Sequence, residues 1–241
     1  GGPAGRDGFR CRGTLTGYSR TCPGKKEKMR RLSLILLLLL SAPAHGGEHG
    51  DEAGVFDYWV LALSWSPGWC DRTGLARGAD QCAPGRGLGW SLHGLWPQYD
   101  RGWPADCATD RAGPRRSDTA AMADIMGSAG LAAHQWRKHG TCSGLSGADY
   151  LGLSRLAYDR VTRPPVFRAL EDAVRLPASV VEEAFLQANP TLHPDGITIS
   201  CRDGQIAEAR ICLTRDLRRR RCGADVIRDC AARDALMVPI R

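Results

Sequence analysis

The chain has 241 residues, of which 33 are Lys or Arg and 26 are Asp or Glu, for a formal net charge of +7. The excess sits in residues 1–44, which carry nine of the basic and two of the acidic residues, leaving 24 of each sign beyond them. Past residue 44 a generally basic, nucleic-acid-like or membrane-like surface is therefore excluded, and any anion site must be local.

The N-terminus reads as a targeting segment. Met29-Arg30-Arg31 precedes an apolar run from Leu32 to Leu40 broken only by Ser33, and Ala42-Pro43-Ala44 offers a small-x-small cleavage site, with Ala44-His45-Gly46 as an alternative. This is the pattern of a secretory signal peptide, too short to span a bilayer. Residues 29–44 are assigned to that peptide, 1–28 to an untranslated upstream segment, and 45–241 to one domain with no membrane segment. Beyond the leader lie Cys70, Cys82, Cys107, Cys142, Cys201, Cys212, Cys222 and Cys230. An even number behind a signal peptide predicts disulfides in an oxidising compartment, periplasmic or external. Eight cysteines allow 105 pairings, so spacing alone leaves the connectivity open. No CxxC pair favours zinc.

Phe56 to Ser66 (FDYWVLALSWS) is rich in aromatic and β-branched residues and predicts a buried central strand. A Gly-rich loop, Arg72 to Gly89, precedes a short strand from Trp90 to Pro97, and Asp100 to Arg116 is irregular. Ser117-Asp118 supplies N-cap chemistry for a helix to Ile125, and a second helix carries Leu131 to His139. Helical pattern returns over Asp149–Val161, after Pro164-Pro165, and from Ser179, where Ser179-Val180-Val181-Glu182 resembles a capping box. Ile197–Ser200 and Ile206–Leu213 read as strands about an Asp203-Gly204 turn. Arg218 to Arg221 reads as a solvated loop, with an RNA-docking patch as the alternative. Irregularly mixed strands and helices predict an α+β fold with a central antiparallel sheet flanked by helices.

Two segments concentrate the chemistry. Three of the four histidines beyond His49 fall in SLHGLWPQ (Ser91–Gln98) and HQWRKHGTC (His134–Cys142), and the second also holds Lys138, the only lysine after residue 44. On a helix, Gln135 and His139 share one face, while His134 and Lys138 share the next; Trp136 points to the core. Two imidazoles on separate elements beside an ammonium suit acid–base cleavage of a phosphodiester, because imidazole titrates near neutrality and a cation stabilises the phosphorane. A shared metal face is disfavoured: His134 and His139 are i,i+5, about 140° apart around a helix. No GxSxG supports a serine hydrolase.

These segments resemble those of the T2 ribonucleases, secreted endoribonucleases of α+β fold, with WVLALSWSPGWC similar to the family's opening strand and the likeness extending over roughly residues 55–235. The resemblance implies that His139 is the general base, His93 the general acid, Lys138 the stabiliser of pentacoordinate phosphorus and His134 the phosphate holder. It also implies base contacts from Trp96, Trp103 and Gln98, with low base specificity. RNA would be the substrate, DNA would be inert, and neither cofactor nor metal would be needed; a monomer is the default. The implied disulfides are Cys70–Cys82, Cys107–Cys142, Cys201–Cys230 and Cys212–Cys222. Gln135 departs from the family's glutamate. Without a carboxylate the imidazolium form of His139 loses support and its pKa drops, and a slower enzyme with an optimum nearer neutrality is expected. The competing readings are an RNA-binding relative that has lost catalysis and a disulfide scaffold acting as an inhibitor.

Overall fold

The computed structural model describes residues 51–241. The expected signal peptide, the segment before it, and Cys11 and Cys22 lie outside the described residues. The strands are β1 Tyr58–Trp65, β2 Trp90–Gln98, β3 Val174–Leu176, β4 Ile197–Arg202, β5 Gln205–Leu213 and β6 Ala235–Met237. The helices are α1 Ser66–Trp69, α2 Arg116–Ala121, α3 Ala123–Met126, α4 Ala129–Lys138, α5 Gly147–Asp159 and α6 Ala178–Ala188. The strands form one sheet ordered β2-β1-β5-β6-β3, with β4 also paired to β5.

The fold is α+β, and the expected antiparallel sheet needs one amendment. Every strand pair is antiparallel except β5 with β6, which run parallel through Gln205 and Leu236. A long connection, not a hairpin, leads from β5 to β6, so the chain can return in the same direction. Residues β3 and β6 contribute are too few for a period-2 pattern to mark them in the sequence.

β1 is a buried interior strand, flanked by β2 and β5, and β5 is the one at the middle of the sheet. Its alternation sends Trp59, Leu61, Leu63 and Trp65 into the main core with Leu92, Leu95, Ile197, Ile199 and Ile211. Helices α5 and α6 pack on this side, where Trp90 lies 5.2 Å from Trp65 and 5.1 Å from Phe185, ring centre to ring centre. By the same alternation Tyr58, Val60, Ala62 and Ser64 share the opposite face with Glu208, Arg210 and Cys212 of β5. Along β2 the register breaks. Ala62 pairs with Gly94 and Leu63 with Leu92, so His93 is the extra residue of a β-bulge.

The turn between β4 and β5 has Asp203 at φ 52° and Gly204 at φ 73°, as a primed hairpin turn requires. α4 starts at Ser128, whose hydroxyl accepts the Leu131 N–H at 3.1 Å. The expected capping box at Ser179 is not formed. Pro177 occupies the N-cap of α6 at φ −61°, so the helix begins before Ser179 and that side chain is already inside it. The arginine run is neither free nor a bare cationic patch: Arg218 pairs with Asp216, Arg219 donates to the Arg160 carbonyl, Arg220 pairs with Asp100 over the Tyr58 ring, and Arg221 pairs with Asp195.

The structure joins Cys70–Cys82, Cys107–Cys142, Cys201–Cys230 and Cys212–Cys222. Cys107–Cys142 ties the loop after β2 to the turn after α4, beside a backbone bond from Asp106 N–H to the Lys138 carbonyl at 2.8 Å. It closes a sequence separation of 35 residues. Replacing both cysteines by alanine is expected to lower stability by about 4 kcal/mol on the chain-entropy account. Urea unfolding of the double variant measures this, and an unchanged midpoint would show that the native backbone contacts alone hold the loop.

Candidate active site

His93 is presented by the bulge in β2, and its neighbour Gly94 is small for a reason of packing. A Cβ at Gly94 would overlap Gln135 Oε1 and Trp96 Nε1. The space is needed because the Trp96 indole donates to Gln135 Oε1 at 2.8 Å. An indole N–H can only donate, so this bond also fixes which end of the Gln135 amide faces Trp96. Gln135 is buried at 2% exposure, and its acceptor oxygen is committed to the indole.

Trp96 packs against both imidazoles. Its ring lies 5.2 Å from His139 at an interplanar angle of 30°, and 5.2 Å from His93 edge-on. Arg210 lies over the indole at 5.5 Å. Trp96 is half-buried, with His139 stacked on it, and it lines the cleft where the sequence expects a base contact. Trp103, 60% exposed, is the free aromatic surface. Gln98 is buried and its amide donates to the Gly102 carbonyl at 2.8 Å.

The helix divides its residues as the spacing predicts: Gln135 and His139 are buried, whereas His134 and Lys138 are exposed. His93, Trp96, Gln98, Trp103, His134, Gln135, Lys138 and His139 thus all border one cleft of about 400 Å³. Four further residues there were not among the expected site residues: Val60, Arg210, Asp225 and Val226. Asp225 reaches the cleft from the C-terminal segment and accepts the Gly102 N–H at 2.6 Å, bracing the loop that bears Trp103. Another unforeseen residue, Glu208, accepts from His93 Nδ1 at 2.5 Å and holds Arg210 through Nε at 3.0 Å and Nη2 at 2.8 Å.

The electrostatics of the two imidazoles differ. Burial pushes the His139 pKa down to about 3, and the charges of Lys138, His93 and His134 push the same way. Its Nδ1 is buried without a hydrogen-bond partner, which a neutral ring tolerates better than an imidazolium. The drop anticipated from Gln135 is in the right direction, but burial is the leading cause. A base kept neutral in acid extends the acid side of a rate profile, so a neutral-shifted optimum does not follow from His139. For Glu208, burial raises the carboxyl pKa, yet hydrogen bonding and charge from His93 and Arg210 outweigh it and hold it at about 2.

A disulfide-bonded α+β fold that aims two imidazoles and an ammonium into one cleft defines a class, and the chain belongs to the Ribonuclease T2 family, whose sequence pattern matches residues 56–222. A ribonuclease from Aeromonas hydrophila is 45% identical over 119 residues, covering 48% of this chain and 53% of its own length. The chain spans about half the length of the curated relatives it matches. Among solved structures, the RNase-related protein from Calystegia sepium is similar with a TM-score of 0.58 at 18% identity, over 76% of this chain and 96% of that one. RNase NT in complex with 5′-AMP gives 0.53 at 17% identity, over 78% and 100%. At those identities the likeness is one of fold.

The His139 pKa carries a stability consequence. An unfolded chain protonates this group near 6.5 and the native protein only near 3, so the unfolded state holds the extra proton between these values. Stability therefore falls as pH drops from 6.5 towards 3, by at most about 1.4 kcal/mol per unit. The stabilisation from Glu208 is complete above 4.5 and is lost only as pH falls from there towards 2; above 4.5 Glu182, whose carboxyl pKa burial raises, acts against His139, so the comparison with a His139 variant isolates the imidazole. Urea midpoints at pH 7 and pH 5 should differ less in His139→Gln than in the wild type. Equal differences would remove His139 from the acid limb of stability.

Proposed function

We propose that the protein is a secreted or periplasmic endoribonuclease that cleaves single-stranded RNA without a metal or other cofactor, acting as a monomer with no membrane attachment. The observation that carries this reading is the placement of His93 and His139 on separate elements, both against Trp96, opening on one cleft with Lys138 and His134. The four disulfides support an oxidising compartment. Among the described residues no helix is long and apolar enough to cross a membrane. The segment 29–44 serves as the signal peptide in this reading, and residues 1–28 are untranslated.

In the reaction, His139 takes the proton of the ribose 2′-hydroxyl as that oxygen attacks phosphorus. His93 donates a proton to the departing 5′-oxygen. Lys138 and the Gln135 amide N–H stabilise the phosphorane oxygens, and His134 holds the phosphate. The first product is a 2′,3′-cyclic phosphate, opened afterwards by water to a 3′-phosphate. The nucleophile is internal to the substrate and already close to phosphorus, which accounts for the reaction without recourse to a metal-bound hydroxide. DNA lacks that hydroxyl and stays intact. A bound phosphate places negative charge beside Lys138 and His134, opposing two of the influences that hold His139 neutral. Trp96 and Trp103 supply stacking, with Gln98 near the base edge, and stacking tolerates any base. Low base specificity follows.

One observation favours a second reading, an RNA-binding module without turnover. A His139 held near 3 is a weak proton acceptor at neutral pH. Incubation of RNA with EDTA decides between them. The wild type should generate cyclic-phosphate ends and leave DNA whole, while His93→Ala and His139→Ala should each lose about 10²- to 10⁴-fold. Cleavage that survives both substitutions overturns the mechanism. RNA binding by a wild type that makes no cyclic phosphate establishes the binding module.

A further inference from the structure

His93 is an awkward residue to hold still. As the bulged residue it has no partner across β1, and its side chain is 35% exposed. Its restraint comes from two strands away: Glu208 lies on β5, His93 on β2, and β1 runs between them. Neighbouring strands are about 4.8 Å apart, so the two side chains must meet over roughly 10 Å of sheet. β1 makes room for this. On the shared face it carries Tyr58 and Val60 at one end but Ala62 and Ser64 beneath the meeting point, with Ser64 directly opposite Glu208 and Ala62 opposite both Gly94 and Arg210.

The carboxylate divides its two oxygens. Oε1 takes the His93 Nδ1 at 2.5 Å, and Oε2 takes both nitrogens of the Arg210 fork at 3.0 and 2.8 Å. Ser64 Oγ adds a weak contact to Oε1 at 3.5 Å. Such charge-assisted bonds are short and directional. The Glu208 side chain is only 13% exposed, so water competes poorly for it. Arg210, which also lies over Trp96, keeps the carboxylate from swinging away.

We propose that Glu208 is the positioning residue for His93: it receives the Nδ1–H across β1, so that Nε2 alone carries the proton offered to the leaving 5′-oxygen. The proposal rests on the endoribonuclease reading above. In the step itself, His93 starts as the imidazolium; the Nε2–H bond breaks, its proton passes to the 5′-oxygen as the P–O bond breaks, and the ring is left neutral with Nδ1–H still bound to Glu208. Glu208 exchanges no proton and touches no substrate.

The test compares leaving groups. Glu208→Gln and the wild type are assayed on RNA and on a uridine 3′-(4-nitrophenyl) phosphate, whose nitrophenolate departs without a proton. Turnover of RNA by Glu208→Gln should fall about ten- to a hundred-fold, part of what a general acid contributes. The nitrophenyl ester should be cleaved at close to the wild-type rate. Equal losses on both substrates would show a merely structural role and overturn the proposal, as would no loss on RNA. The tautomer of neutral His93, read from ¹⁵N shifts of labelled wild-type protein, gives an arm that needs neither activity nor a folded variant. The Nδ1–H form is expected, and the Nε2–H form overturns the proposal. A wild type that cleaves neither substrate defeats the endoribonuclease reading, and the tautomer still decides the role of Glu208.

Discussion

The contact from the Trp96 indole to Gln135 joins the two halves of the site, since Trp96 belongs to β2 and Gln135 to α4. Neither element would otherwise know where the other's histidine lies. The indole stacks on His139 from one element and meets the edge of His93 from the other, so one rigid bicyclic side chain sets the separation of both imidazoles. A ring with two torsions loses little entropy when it is held this way. The missing Cβ at Gly94 permits the contact, and the Cys107–Cys142 bond fixes the far end of α4. The covalent tie, the glycine and the indole are parts of one arrangement.

A protein with equal numbers of acidic and basic residues beyond residue 44 has to make its positive site locally. It does so by using most nearby arginines internally. The four-arginine run is engaged with carboxylates, a backbone carbonyl and the Tyr58 ring, and Arg210 is held by Glu208. Lys138 is exposed at the rim of the cleft, where a compact ammonium can meet a phosphate. Burial of His139 beside that ammonium keeps the ring neutral, whereas His93 is given a carboxylate partner. The two histidines look alike in sequence, and their surroundings push them towards opposite roles.

Local chemistry was legible and non-local chemistry was not. The i,i+4 spacing correctly placed Gln135 with His139 and His134 with Lys138, because helix geometry acts over a few residues. The β1 strand, the hairpin at Asp203-Gly204 and the α+β class followed from period and turn signals. Glu208 and Asp225 could not be found this way. Each meets its partner more than a hundred residues away, through strand order and the path of the C-terminal segment, and neither lies in a motif. The bond from Trp96 to Gln135 was hidden for the same reason: it depends on which face α4 lays against β2. The bulge did leave a trace, since the buried apolar residues Trp90 and Leu92 alternate and then skip to Leu95. That one-residue slip in phase falls at His93, and a strict reading of alternation marks the place where β2 departs from its ladder.

The same slip explains why the sheet can serve a core and a site at once. Before the bulge, β2 turns Trp90 and Leu92 into the core; after it, Leu95 resumes that duty while Gly94, Trp96 and Gln98 turn towards the cleft. Without an inserted residue, the ring at position 96 would alternate onto the core face and the leucine at 95 onto the cleft. The bulge leaves His93 without a ladder partner, and the small side chains of Ala62 and Ser64 then let a carboxylate from β5 supply the restraint that the backbone has given up. β1, made of Tyr, Trp, Val and Leu for most of its length, is small at those two positions, over which the Glu208 carboxylate meets His93.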